Sequence, residues 1–254
     1  QGLEIVGYMK PADEVGGAVD LIEKGISVNG AIVGEPSSSK LCVAHRGLEW
    51  FDFLFKGRTV HGGDQAKGIN AISKAAHFIN AVENELVPLL VKRMDPLLGS
   101  STVNIGVIHG GTQLSTVPGE CTVSIDRRFL PGEKYEEVCG EFKELLDRLA
   151  AEDPDFSCEM KITGVSMMKD GYVHMPLVGT TDNSFITLLR AKIDEAYDQD
   201  TEITSFPGWS DAGLLSSYGK IPSVVFGPGT TTCCHSPLEY ITVSDLAKAC
   251  LAYV

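Results

Sequence analysis

The order of apolar and polar positions divides the chain into three stretches. In the middle one, GLEWFDFLFKG (47–57) is aromatic-rich and alternating, which predicts a strand. Residues 69–92 carry apolar positions at helical spacing and predict a helix bent or ended near Pro88, which has no backbone N–H to donate. TVNIGVIHGG and CTVSIDRRFL predict two strands joined by a turn-rich segment. KYEEVCGEFKELLDRLAAE predicts an amphipathic helix, and FSCEMKITGVS a further strand. In order, residues 47–166 read strand, helix, strand, strand, helix, strand, the split βαβ order of a ferredoxin-like unit. Such a sheet has helices on one face and leaves the other face, or an edge, open for pairing.

The flanking stretches have α/β texture. VGGAVDLIEKG (15–25) predicts a short helix ended by Gly25, and NGAIVGEP a short buried strand closed by Pro36 and the serine turn that follows. After the middle unit come a helix over 182–199, a strand in TEITSF and a helix in SDAGLLSSYG. PSVVFGPG then reads as a strand ending in a glycine turn, and 243–253 as a last helix. The expected fold is α/β: one domain in two parts, 1–46 and 167–254, with a βαββαβ domain inserted at 47–166.

Composition narrows the function classes. With 43% hydrophobic and 22% charged residues in 254, the chain is of ordinary globular type. A net charge of −13 argues against nucleic acid as a partner, because phosphate binding needs a basic face. No apolar run approaches the roughly 20 residues that cross a bilayer, and the first residues lack the order of a secretory signal. Seven scattered cysteines without a C-x-x-C pair read as reduced thiols in a cytoplasmic protein. Cys42, Cys121, Cys139, Cys158 and Cys250 fit small core positions. Cys233 and Cys234 are adjacent, and on an extended segment they would point to opposite sides, a poor chelate.

Several residues are placed to do chemistry. Glu35 ends a strand directly before Pro36, and ligands gather outside the carboxyl ends of strands in α/β sheets; a solvated turn glutamate is the alternative. Asp13 and Glu14 precede a helix, where acids also serve as caps. His235 follows a strand across a loop, and imidazole with carboxylates makes a borderline divalent-metal site. His61 lies among glycines between a strand and a helix. Arg127 or Arg128, at the end of a strand, suits a carboxylate or a salt-bridged sheet edge equally well. No H-E-x-x-H, P-loop, G-x-S-x-G or dinucleotide fingerprint occurs.

The ordered set DEVGGAVDLIEKG, AIVGEPSSS, FKGRTVHGGDQAKGINAI, GGTQLSTVP, DRRFLPGE, GWSDAGLLSSYGKIPSVVFGPG and HSPLEYITVSDL resembles the M20 metallopeptidase family. That family includes acetylornithine deacetylase, succinyl-diaminopimelate desuccinylase and aminoacylase enzymes. The resemblance runs from about residue 7 to the end of the chain. It implies a two-metal amidohydrolase that cleaves N-acyl amino acids or small dipeptides, with zinc or cobalt as the paired ions. Glu14, Glu35 and His235 would be metal ligands and Asp13 the general base. The inserted domain would form a homodimer and carry His61 to the partner's active site as an oxyanion contact. Asn70, Arg128, Gly227 and Gly229 match substrate-binding positions, Arg128 because the family spacing is D-x-R.

Three departures accompany the resemblance. Asp13 stands where the base is normally glutamate, and Ser115 where an asparagine is usual. The family's upstream H-x-D segment and bridging aspartate have no counterpart in these residues, so the chain corresponds to the later part of the family pattern. A non-catalytic dimerisation module or inactive paralogue is therefore the alternative expectation. No nucleic acid and no membrane enter either reading.

Overall fold

The structure is a computed structural model and describes residues 17–254 apart from 165, 167, 169, 170, 180, 181 and 235. The chain first forms α1 (Gly17–Glu23), β1 (Ala31–Val33) and β2 (Leu41–His45). Then come β3 (Gly47–Lys56), β4 (Val60–His61), a 3-10 segment (Gly62–Lys67), α2 (Ala71–Ala81), a π-helical turn (Val82–Leu86) and α3 (Val87–Leu90). β5 (Met94–Asp95), β6 (Gly99–Ser100), β7 (Thr102–Gly110), β8 (Thr116–Val117), β9 (Glu120–Phe129), α4 (Tyr135–Glu152) and β10 (Cys158–Ile162) follow. The last stretch holds β11 (Leu177–Val178), α5 (Ser184–Tyr197), β12 (Ile203–Ser205), α6 (Ala212–Ser217), β13 (Ser223–Val225), a 3-10 turn (Thr231–Cys233) and α7 (Val243–Ala252). Contacts separate two compact units: Gln1–Gly47 with Pro96–Leu98 and Met167–Val254, and Leu48–Asp95 with Gly99–Ser166.

The second unit is a four-stranded sheet of order β10-β3-β9-β7, in which β10 pairs antiparallel with β3 and β7 antiparallel with β9. This is the strand order of the ferredoxin-like fold. The alternation anticipated in β3 puts Phe51, Phe53 and Phe55 on the inner face, beside Cys121, Val123 and Ile125 of β9. Helices α2 and α4 cover that face with Ala71, Ala75, Phe78, Phe142, Leu145 and Leu149. The phenylalanine rings touch at offset or tilted geometry, Phe53 lying 4.4 Å from Phe78 and 5.2 Å from Phe142 between centroids. The other sheet face is polar: Ser124 donates to Asp52 at 2.6 Å and Trp50 Nε1 to Asp126 at 3.1 Å.

Sequence placed the bend of the long helix near Pro88. The bend is the π-helical turn just before it, where the Val87 N–H reaches back to the Val82 carbonyl, and Pro88 then opens α3, at a position that needs no donor.

The first unit is built on a five-stranded sheet of order β1-β13-β2-β11, with β12 also pairing β2. Strands β2 and β13 are buried along their whole length, because helices lie on both faces. Leu41, Val43 and Val224 pack with Ile186, Leu189 and Ile193 of α5 and Ala252 of α7. Cys42 and Val225, on the opposite face, pack with Leu177, Phe206 and Ala212. β1, expected to be buried, is half-buried throughout. All seven cysteines are free; Cys42 and Cys121 are core residues, whereas Cys250 is exposed on α7 and is not the core position expected. Burial pushes the Cys42 thiol up to about 12. Among the described residues no helix is long and apolar enough to cross a membrane.

Candidate functional site

In the first unit, β1 and β13 run parallel in the register Ala31↔Ser223 to Val33↔Val225. Their carboxyl ends therefore lie side by side, and Glu35 and Gly227 each stand two residues past them. A serine latch joins the two loops. The Ser37 N–H donates to the Gly227 carbonyl at 3.1 Å, and the Gly227 N–H donates to Ser37 Oγ at 3.1 Å. The Ser39 N–H also reaches the Gly227 carbonyl, and Ser38 N–H donates to the Gly229 carbonyl at 2.7 Å. A Cβ at position 227 would meet the Glu35 carbonyl oxygen at 2.5 Å, so only glycine allows this approach. Both backbone groups of Gly227 are thus engaged within the chain. Gly229, two residues on, adopts the left-handed φ of +85°.

Glu35 is half-buried, and its charge reaches the turn that precedes position 235. Burial first, then Glu239, Cys233 and Glu35, raise the Cys234 thiol above its ordinary value. Asp13, Glu14 and His235 lie outside the described residues. Among the described residues no three His, Cys, Asp or Glu side chains group as a metal ion would require. The adjacent cysteines depart from expectation. Thr231–Cys233 is a 3-10 turn rather than an extended segment, and both sulfurs face the Thr230 carbonyl oxygen, at 3.8 Å for Cys233 and 3.3 Å for Cys234.

The remaining candidates belong to the second unit. His61 ends β4, paired with Thr116 of β8, and is exposed. Its Nδ1 accepts from the Gly63 N–H at 3.1 Å. A neutral imidazole in that bond carries its proton on Nε2, which makes the outer edge of the ring a donor. The Gly62 N–H donates to the Ser115 carbonyl at 2.7 Å, so Ser115 supports the histidine turn through its backbone. Asn70 caps α2, its Oδ1 accepting from the Ser73 N–H at 3.1 Å, which leaves the amide nitrogen as the side chain's outward donor.

The two arginines left open by the sequence separate cleanly. Arg127 is fully buried: its Nη2 donates to Glu133 at 2.8 Å and Glu141 at 3.1 Å, and its Nη1 to the Arg128 carbonyl. It is a core ion-pair residue. Arg128 sits on the polar face, held by Asp126 through Nε at 2.7 Å and Nη2 at 2.8 Å. That clamp orients the guanidinium and leaves Nη1 directed elsewhere. The role of Asp126 escaped the sequence reading, although strand spacing of two already placed it on the same face as Arg128.

A two-face-covered α/β sheet with latched loops at its strand ends, and a ferredoxin-like unit with one polar sheet face, define an α/β protein of two compact units. Residues 43–154 match the peptidase dimerisation domain. The acetylornithine deacetylase of Myxococcus xanthus is 28% identical over 245 residues, which cover 93% of this chain and 60% of that protein. Among solved structures, the aminopeptidase PepT of Bacillus cereus superposes with a TM-score of 0.71 at 23% identity, covering 94% of this chain and 60% of the other. An M20 family metallo-carboxypeptidase of Sulfolobus solfataricus gives a TM-score of 0.71 at 16% identity, covering 92% and 64%. In its dimerisation-domain match, its relatives and its fold the chain is similar to M20 metallopeptidases. It spans between about half and 60% of the length of the curated relatives it matches.

Proposed function

We propose that the chain is part of a two-metal amidohydrolase acting on N-acyl amino acids or small dipeptides. The observation that carries this reading is the pair of latched loops at the carboxyl ends of β1 and β13, which bring Glu35 toward the segment leading into position 235. A carboxylate there, if joined by an imidazole, would form a donor set that suits divalent zinc or cobalt. Glu35, with Glu14 and His235, would hold the ions. When bound, paired ions supply an activated water and a polarised carbonyl.

The chain's own groups have separate tasks in this reading. Asp13 takes a proton from the attacking water and returns it to the leaving amine. His61 donates from Nε2 to the developing oxyanion; the Gly63 bond to Nδ1 supports this assignment, because it selects the tautomer with the proton outward. Arg128, oriented by Asp126, receives the substrate carboxylate, and the Asn70 amide nitrogen and Gly229 N–H line the substrate. In a homodimer His61 acts in the partner's site. The exposed edge strand β7, with Val107 and Ile108 on its surface, supports pairing through the inserted domain.

The test is metal content after Zn²⁺ or Co²⁺ reconstitution and desalting, followed by hydrolysis of N-acetyl amino acids with and without chelator. About two retained ions per chain and chelator-sensitive turnover are expected. No retained ion and no turnover would instead identify the chain as a dimerisation module. His61→Ala retaining more than a few per cent of turnover would overturn the oxyanion role.

A further inference from the structure

The turn that brings Cys233 and Cys234 to one side is pinned at both ends. Thr230 Oγ1 accepts from the Thr232 N–H, and Ser236 Oγ donates to the Cys233 carbonyl at 2.7 Å. The two thiols, both free and half-buried, face the same carbonyl oxygen within this frame. The turn thus holds both sulfurs on the side of the Thr230 carbonyl.

Two thiols on one side of a turn can bond to one another or bridge a third atom. Neighbouring Cα atoms are about 3.8 Å apart across a trans peptide, short of the roughly 4.4 Å at which ordinary disulfide spans begin. A direct S–S bond would distort the turn, whereas an inserted atom lengthens the bridge and removes that demand. We propose that Cys233 and Cys234 form a dithiol site for a single trivalent thiophilic centre of the arsenic(III) class. With phenylarsine oxide as the probe, each thiol gives up its proton, two S–As bonds form and the arsenic-bound oxygen leaves as water. Arsenic stays trivalent, so no oxidant or reductant enters. The buried Cys42 and Cys121 are out of reach of such a reagent, and Cys250, exposed on α7, is the accessible control.

The two thiols directly precede position 235, and the test reads mass rather than turnover, so its outcome does not depend on the proposed hydrolase activity. The reduced 254-residue chain is incubated with one equivalent of phenylarsine oxide and measured by intact-mass spectrometry. One phenylarsenic group per chain is expected, removed by 2,3-dimercaptopropanol and retained in 2-mercaptoethanol. Cys233→Ser and Cys234→Ser should each weaken retention at least about tenfold, and Cys250→Ser should leave it unchanged, with circular dichroism reporting that each variant is folded. An adduct of equal strength in Cys233→Ser or Cys234→Ser, or no dithiol-reversible adduct in the unmodified chain, overturns the assignment.

Discussion

Replacing Arg127 by methionine tests how the inserted unit is held together. The guanidinium is wholly buried and bonds Glu133 and Glu141, whose side chains are only 13% and 14% exposed. Methionine keeps the apolar stem and removes the charge, so two largely buried carboxylates lose a partner. Breaking a buried pair from one side costs about 3–5 kcal/mol. The lower end applies here, because Arg93 still reaches both carboxylates, and Ser101 and the Leu130 N–H still bond Glu133. A loss of about 3 kcal/mol lowers the melting temperature of a unit this size by roughly 10 °C.

Urea unfolding followed by Trp50 fluorescence reads the change on the same sheet. Burial alone would raise the Glu133 carboxyl, but the Leu130 N–H, Ser101 and Arg127 outweigh it and hold the group below the ordinary glutamate value. A depressed carboxyl stabilises the fold above its unfolded value of about 4.3 and loses that contribution as pH falls through the folded value. The gap between wild type and Arg127→Met should therefore be widest above about pH 4.3 and narrow below it. A loss under about 1 kcal/mol, or a gap that grows on acidification, would refute the reasoning.

Phe53→Ala removes the ring that touches both Phe78 and Phe142 and should cost about 3–5 kcal/mol in the same urea assay; a cost below about 1 kcal/mol would mean the cluster repacks freely. Gly227→Ala drives a methyl against the Glu35 carbonyl and should cost about 1–3 kcal/mol, measured by thermal unfolding; an unchanged melting temperature would show that the latch yields easily. Glu35→Gln should lower Zn²⁺ retention by about tenfold or more in equilibrium dialysis, and equal retention would remove Glu35 from the ligand set. Burial raises the Glu49 carboxyl despite hydrogen bonds from Tyr135 and the Trp50 N–H. Such a group loses stabilising weight as pH rises from about 4.3 through its folded value, so Glu49→Gln should flatten that decline in a pH series of melting temperatures.

Much of the fold was legible along the chain. The alternation of β3 and β9 and the periodicity of α4 are local signals, because burial on one face of a strand or helix must repeat every two or 3.6 residues. The same alternation distinguishes Arg127 from Arg128: with Cys121, Val123 and Ile125 facing inward, position 127 follows them and 128 points away. β2 was not legible. LCVAH is five residues with only Arg46 between it and β3, and its burial comes from β12, β13, α5 and α7, all distant in sequence.

By itself the sequence determined the α/β class, the βαββαβ order of the middle stretch and the motifs that resemble M20 enzymes, since each rests on residue types at short, regular spacing. Only the tertiary structure decided that Gly227 spends its backbone on Ser37, that Asp126 clamps Arg128, that Glu133 and Glu141 are the partners of Arg127 and that Cys233 and Cys234 face one oxygen. Those outcomes depend on which loops meet at strand ends and on the conformation of a three-residue turn, which long-range packing sets and local pattern does not encode.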